Sequence, residues 1–157
     1  MPQTIRVRST NRITPENKES YLLTGVVPGS GHLLVAGEGY DGLSLLEVCR
    51  GRLTVISNEP GSGYEPSTTA DGKKIFYRSD AMSENRKFSS VWCYDIVTGE
   101  KELMIDKGRG VVPPAVAGNA VLLKSDSQAD IDLFRLDGSL TANLFTGTKD
   151  AGVHTIR

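Results

Sequence analysis

Residues 65–99 read EPSTTADGKKIFYRSDAMSENRKFSSVWCYDIVTG, and the punctuation of this stretch decides the fold. Asp71-Gly72 precedes the apolar run Ile75-Phe76-Tyr77, and Asp-Gly flanked by β-formers is among the strongest short-range hairpin signals. A polar stretch, Asp80 to Ser89, separates that run from a second one, Val91 to Ile96, which Thr98-Gly99 closes with another turn. The pattern predicts strand, turn, strand, polar loop, strand, turn and strand.

The same order recurs on both sides. Upstream, Tyr21 to Val27, the turn Pro28-Gly29-Ser30-Gly31 and Leu33 to Ala36 lead into a Gly-rich loop around Gly37, Gly39 and Gly42. Leu43 to Val48, the turn Arg50-Gly51 and Leu53 to Ile56 complete that unit. Downstream, Val111 to Val116, the turn Ala117-Gly118-Asn119, Ala120 to Leu123, the loop Asp126 to Asp130, Ile131 to Leu136, Asp137-Gly138 and Leu140 to Phe145 repeat it. The paired turn glycines lie 20, 27 and 20 residues apart, so the middle unit carries about seven extra residues, assigned to the polar loop Asp80 to Ser89. The first glycines of successive units are 41 and 46 residues apart, and a period of 40–50 residues with four strands per repeat is the mark of a β-propeller blade. The second strand of each unit is continuously apolar, as a strand covered on both faces must be, while the fourth is more polar, as a solvent edge should be. The expected fold is therefore all-β: a propeller segment of about three four-stranded antiparallel blades, near 21–57, 64–106 and 111–145, plus a terminal strand.

PSTTADGKKIFYRSD resembles the Pro-Ser-Trp-Ser-Pro-Asp-Gly-Lys-Lys core of TolB-type propeller repeats, and VWCYDIVTGEKELM is similar to the segment that follows it in that family. The likeness extends over about 45 residues and is loose in the flanking units; Thr69-Ala70 stands where the family has Ser-Pro. The resemblance implies a propeller and a bacterial-envelope setting, periplasmic in the family, and it carries over no catalytic residue. Related repeats occur in the propellers of prolyl oligopeptidase-type peptidases. Known propellers typically have four to eight blades. Three blades therefore imply a longer ring, or several copies that complete one another, with self-association through the open blade faces. The last residues, Asp150 to Arg157, look like the first strand of a fourth blade.

Composition narrows the partners. Lys plus Arg number 18 and Asp plus Glu 19, a net charge of −1, so no overall field attracts nucleic acid or an anionic membrane. No apolar run approaches the ~20 residues of a membrane helix, and the opening residues lack the apolar stretch of a secretory signal. Seventeen glycines in 157 residues exceed the roughly 7% average and suit a turn-rich fold. Ile5 and Val7 alternate with Arg6 and Arg8, which predicts a half-buried edge strand over 3–9. Cys49 and Cys93 adjoin apolar runs and read as two buried thiols.

Reactive constellations do not emerge. His32 and His154 have no partner at metal-ligand spacing, which argues against zinc. Gly61-Ser62-Gly63 is not G-x-S-x-G and reads as a turn. Lys107-Gly108-Arg109-Gly110 lacks the strand–loop–helix context of a phosphate loop. Asp126, Asp130 and Asp132 lack the spacing and central Gly of a calcium loop. Trp92 and Tyr94 share a strand face by period two and read as packing between blades. No catalytic residue, metal site or cofactor is expected. The leading expectation is a non-enzymatic scaffold for a protein partner. The alternatives are the regulatory propeller of a prolyl oligopeptidase-type peptidase and a glycan-binding propeller. The loops between second and third strands should share one face with the connections between blades, and the longest of them places Arg86, Lys87 and Phe88 together as the candidate partner site.

Overall fold

The computed structural model describes residues 6–17, 19–117 and 120–123, together with the strand backbones of 131–135 and 140–145. Among the described residues, twelve strands form three four-stranded antiparallel sheets in simple up-and-down order. The first sheet holds β1 (Leu22–Val27), β2 (His32–Ala36), β3 (Leu43–Glu47) and β4 (Arg52–Ser57). The second holds β5 (Ser67–Thr68), β6 (Lys74–Ser83), β7 (Arg86–Asp95) and β8 (Lys101–Gly108). The third holds β9 (Ala115–Ala117), β10 (Ala120–Leu123), β11 (Ile131–Arg135) and β12 (Leu140–Phe145). A 3₁₀ turn, Glu38–Tyr40, joins β2 to β3. Residues 150–157, with the expected terminal strand, lie outside the described residues.

The Asp-Gly turn forms as its chemistry dictates. Thr69 N–H donates to the Lys74 carbonyl at 3.0 Å and Gly72 N–H to the Thr69 carbonyl at 2.9 Å. Thr69 stands where the resembling repeats have Ser, and its buried hydroxyl donates to Asp71 Oδ1 at 2.5 Å while accepting from the amides of Lys73 and Lys74. These bonds, Thr69 first and the Lys73 amide next, hold the Asp71 carboxyl below the usual carboxylate range. Gly72 has φ +68°, and a Cβ there would collide with the carbonyl of Pro28 in the β1–β2 turn. Glycine thus lets the turns of two neighbouring sheets meet.

The sheets stack through two separate cores. Val27, Leu34, Leu43, Leu45 and Ile56 of the first sheet pack against Ile75, Tyr77 and Tyr94 of the second, with Trp92 and Ile96 beside them. The opposite face of the second sheet, Phe76, Val91 and Cys93, packs on Val111, Val121 and Leu123. Period two explains the division: Ile75 and Tyr77 look one way along β6, Phe76 the other. Inter-blade packing is thus where Tyr94 and Trp92 are found, and the Trp92 indole donates to Ser79 Oγ at 3.0 Å. The first strands of the three sheets lie innermost, since β5 touches both β1 and β9.

Three expectations are corrected. In the strand expected over 3–9, residues 6–9 form no strand and are exposed, because no strand lies beside them among the described residues; residues 3–5 lie outside the described residues. Cys49 is exposed in the β3–β4 turn; only Cys93 is buried, and both are free thiols. Burial, ahead of the opposing pull of Lys74, pushes the Cys93 thiol up. Finally, Asp80 to Ser89 is not a loop. β6 and β7 each run ten residues, against five for β2 and β3, and their register is unbroken from Lys74↔Asp95 to Ser83↔Arg86. Glu84 and Asn85, both at positive φ (49° and 60°), make the two-residue turn that matches the twist of paired strands. The extra residues of the middle unit lengthen a β-ribbon.

Candidate functional site: the ribbon and the loops at its base

The ribbon rises from a face where the loops of the first two sheets are tied together. Gly42 N–H donates to the Glu59 carbonyl at 3.2 Å, Gly63 N–H to Tyr40 at 3.0 Å and Asp80 N–H to Pro60 at 2.8 Å. Gly61 N–H adds a bond to Asp41 Oδ1 at 3.2 Å. A Cβ on Gly61, whose φ is +68°, would overlap the Asp80 carboxylate, so only glycine lets this loop cross the ribbon there. Ser62 Oγ is buried and donates to the Glu59 carbonyl at 2.7 Å, a turn-locking bond in a Gly-Ser-Gly loop.

Two charged residues organise the base of the ribbon. Arg78 donates through Nη1 to the Val111 carbonyl at 2.9 Å, and its guanidinium lies 5.7 Å from the centre of the Tyr64 ring. Tyr64 in turn meets Tyr40 edge-on at 5.3 Å. Arg78 Nε lies 3.3 Å from Asp80 Oδ1, Lys87 Nζ lies 2.8 Å from Asp80 Oδ2, and Ser89 Oγ donates to Asp80 at 2.6 Å. Partial burial pulls the Asp80 carboxyl up, but Lys87, Ser89 and Arg78 together outweigh it and hold the group below its ordinary range. Sequence reasoning passed over Arg78 and Asp80. Their signal was a period-two pair of opposite charges continuing an apolar strand, with Ser89 and Lys87 placed to pair across from them.

A depressed carboxylate stabilises the fold above its unfolded pKa of about 3.9 and ceases to do so as pH falls through the folded value. Asp80→Asn should therefore cost about 1–3 kcal/mol at neutral pH, because Arg78 and Lys87 lose their shared acceptor. Urea unfolding of both proteins should show a constant gap from about pH 5 to 8 that closes as pH falls below about 4. A gap independent of pH would mean that the carboxylate charge contributes nothing.

The three expected partner-site residues are neighbours on β7, but they do not make one patch. Arg86 and Phe88 share one face, with Arg86 exposed beside the turn and Phe88 half-buried opposite Ala81. Lys87 points to the other face and is engaged by Asp80. On that face Met82 stands across from Lys87 and is 70% exposed. The loops expected to gather beside the ribbon do so for 37–42 and 58–63. Lys107, expected in the next connection, lies near the end of β8, and its N–H donates to Ser90 Oγ at 3.1 Å, so that amide is not available to an anion. Asp126, Asp130 and His154 lie outside the described residues, and Asp132 is described only as strand backbone opposite Leu123. His32 opens β2, half-buried, between Val27 and Glu47.

No protein-family model and no curated protein matches the chain. Among solved structures, TolB from Acinetobacter baumannii superposes with a TM-score of 0.57 over 83% of this chain at 20% identity. The fold is that of a β-propeller segment. Tricorn protease gives a TM-score of 0.59 over 71% of the chain at 15% identity. The chain spans 33% of the length of TolB and 11% of that of tricorn protease. At these identities both likenesses concern the fold alone.

Proposed function

We propose that this chain is a non-enzymatic, TolB-like propeller scaffold that binds a protein partner through the ribbon and the loops at its base. The observation that carries the reading is the ribbon itself. Two ten-residue strands run on from the stacked sheets, pinned at Asp80, and present Met82, Arg86 and Lys87 to solvent. A tip of this kind on a rigid base suits recognition, and exposed Arg and Met are typical contact residues. The bonding of Ser62 supports a structural role for that serine. The proposed setting is a bacterial envelope, by the repeat resemblance. The outward face of the first sheet is proposed to be covered by a further blade.

The test replaces Arg86, Lys87 and Phe88 together by Ala in the full-length protein and measures capture of its partners by pull-down. Loss of capture, with a melting temperature no lower than that of Lys87→Ala alone, is the expected result. Unchanged capture would reduce the ribbon to a surface extension.

A further inference from the structure

We infer that the outward edge of β6 at Met82 receives an extended peptide segment bearing a basic side chain, held in the cleft between the ribbon and the turns at 39–41 and 59–61. The inference rests on the ribbon being a contact surface, and it names the class of ligand.

The backbone supplies the first argument. β5 pairs with β6 at Ile75 and Phe76, so among the described residues the far half of β6 has no strand on that side. Ser83 and Arg86 close a two-residue turn, so Ser83, Ala81 and Ser79 exchange hydrogen bonds with β7 and the even-numbered residues turn theirs outward. Asp80 confirms the phase, since its N–H leaves the ribbon for the Pro60 carbonyl. One step further on, the N–H and C=O of Met82 point into the cleft. Exposed edges are commonly blunted by proline, by a bulge or by an outward lysine. Residues 80–83 are Asp-Ala-Met-Ser, in unbroken register, with a large apolar side chain exposed at the edge.

Charge supplies the second. The cleft encloses about 710 Å³ between Met82 and Ala81 on the ribbon and Asp41 and Glu59 on the facing turns. On the ribbon side Asp80 and Lys87 also line the cleft, and Asp80 is outnumbered by its two cations, Arg78 and Lys87. On the turn side Asp41 and Glu59 are exposed acids with no ion pair among the described residues. The wall facing the open edge is therefore net negative. A strand added beside Met82 would take its specificity from alternate side chains. One apolar residue would lie on the polarizable Met82 thioether, and a Lys or Arg would reach toward Asp41 and Glu59.

The probe is a fluorescein-labelled peptide alternating valine and threonine around one central arginine, titrated with the full chain and read by fluorescence anisotropy. Saturable binding is expected, weakened at least tenfold when glutamate replaces the arginine, and likewise when the alternate peptide amides are N-methylated. Asp41→Asn combined with Glu59→Gln should weaken binding of the arginine peptide about tenfold, with the melting temperature reported alongside. Equal binding of the N-methylated peptide would overturn strand addition. Equal binding of the glutamate peptide would overturn the acidic wall, and no saturation into the low-millimolar range would overturn both. Failure here alongside retained, ribbon-dependent partner capture sinks this inference alone; ribbon-independent capture sinks the reading beneath it.

Discussion

Tyr77→Ala should destabilise the chain by about 3–5 kcal/mol, a large part of the ~5–15 kcal/mol that holds an ordinary domain together. Tyr77 is among the largest fully buried side chains, at the centre of the core between the first two sheets. Truncation removes its ring from contacts with both, and the sheets cannot close the gap because backbone bonds at Asp80 and Gly63 fix their spacing. Tyr77→Phe should cost far less, about 1 kcal/mol, the worth of a hydroxyl bond. Burial first, then nearby Glu59, pushes the Tyr77 phenol up to about 12, against a small opposing pull from a bond with Ser57. A raised phenol contributes fully below its unfolded pKa of about 10 and loses that contribution as pH climbs toward the folded value. Alkaline unfolding should thus begin earlier in the parent chain than in Tyr77→Phe. Urea titrations at neutral pH and in the alkaline range measure both effects, and a loss below about 1 kcal/mol for Tyr77→Ala would contradict the stacked core.

The 157-residue chain should self-associate in a concentration-dependent way, and charges on the outward face of the first sheet should stop it. Two cross-strand rows cover that face: Leu23, Val35, Ser44 and Val55, and beside them Val26, Leu33, Leu46 and Leu53. Leu23, Val26 and Val55 are 65%, 60% and 54% exposed. These rows occupy the repeat positions that Ile75, Tyr77 and Tyr94 fill on the second sheet, where the preceding blade covers them. Val35 and Leu46, at the centre of the rows, are buried, so the open part of the face is the patch around Leu23, Val26 and Val55. An exposed apolar patch of this kind drives association. Light scattering across a wide concentration range should show rising mass for the parent chain and a monomer for Val26→Lys/Val55→Lys. A parent chain that stays monomeric would count against the open face.

The turns were legible because Asp-Gly and Thr-Gly chemistry is local, and the stacking was legible because Ile75-Phe76-Tyr77 has to be covered on both faces. The ribbon was not. Asp80 to Ser89 carries no alternating apolar residues, because its strands pair with each other in solvent rather than against a core. What specifies it is cross-strand pairing, Asp80 with Ser89 and Lys87, and a turn in which Glu84 occupies a conformation more often given to glycine. The exposure of Cys49 escaped notice because a single turn separates β3 from β4, too short a gap for the apolar pattern to resolve. Arg86, Lys87 and Phe88 were read as a cluster in a loop; on a strand, period two sends the middle one to the opposite face.

Among the described residues the two cores share none: one lies between the first and second sheets, the other between the second and third. Stability in such a stack is close to a chain of nearest-neighbour couplings. Among the described residues the middle blade links its neighbours through packed side chains, with Tyr77 and Phe76, adjacent on one strand, facing opposite partners. The ribbon is an outgrowth of that same strand. Any force or ligand acting at its tip enters the array at the node where both couplings meet.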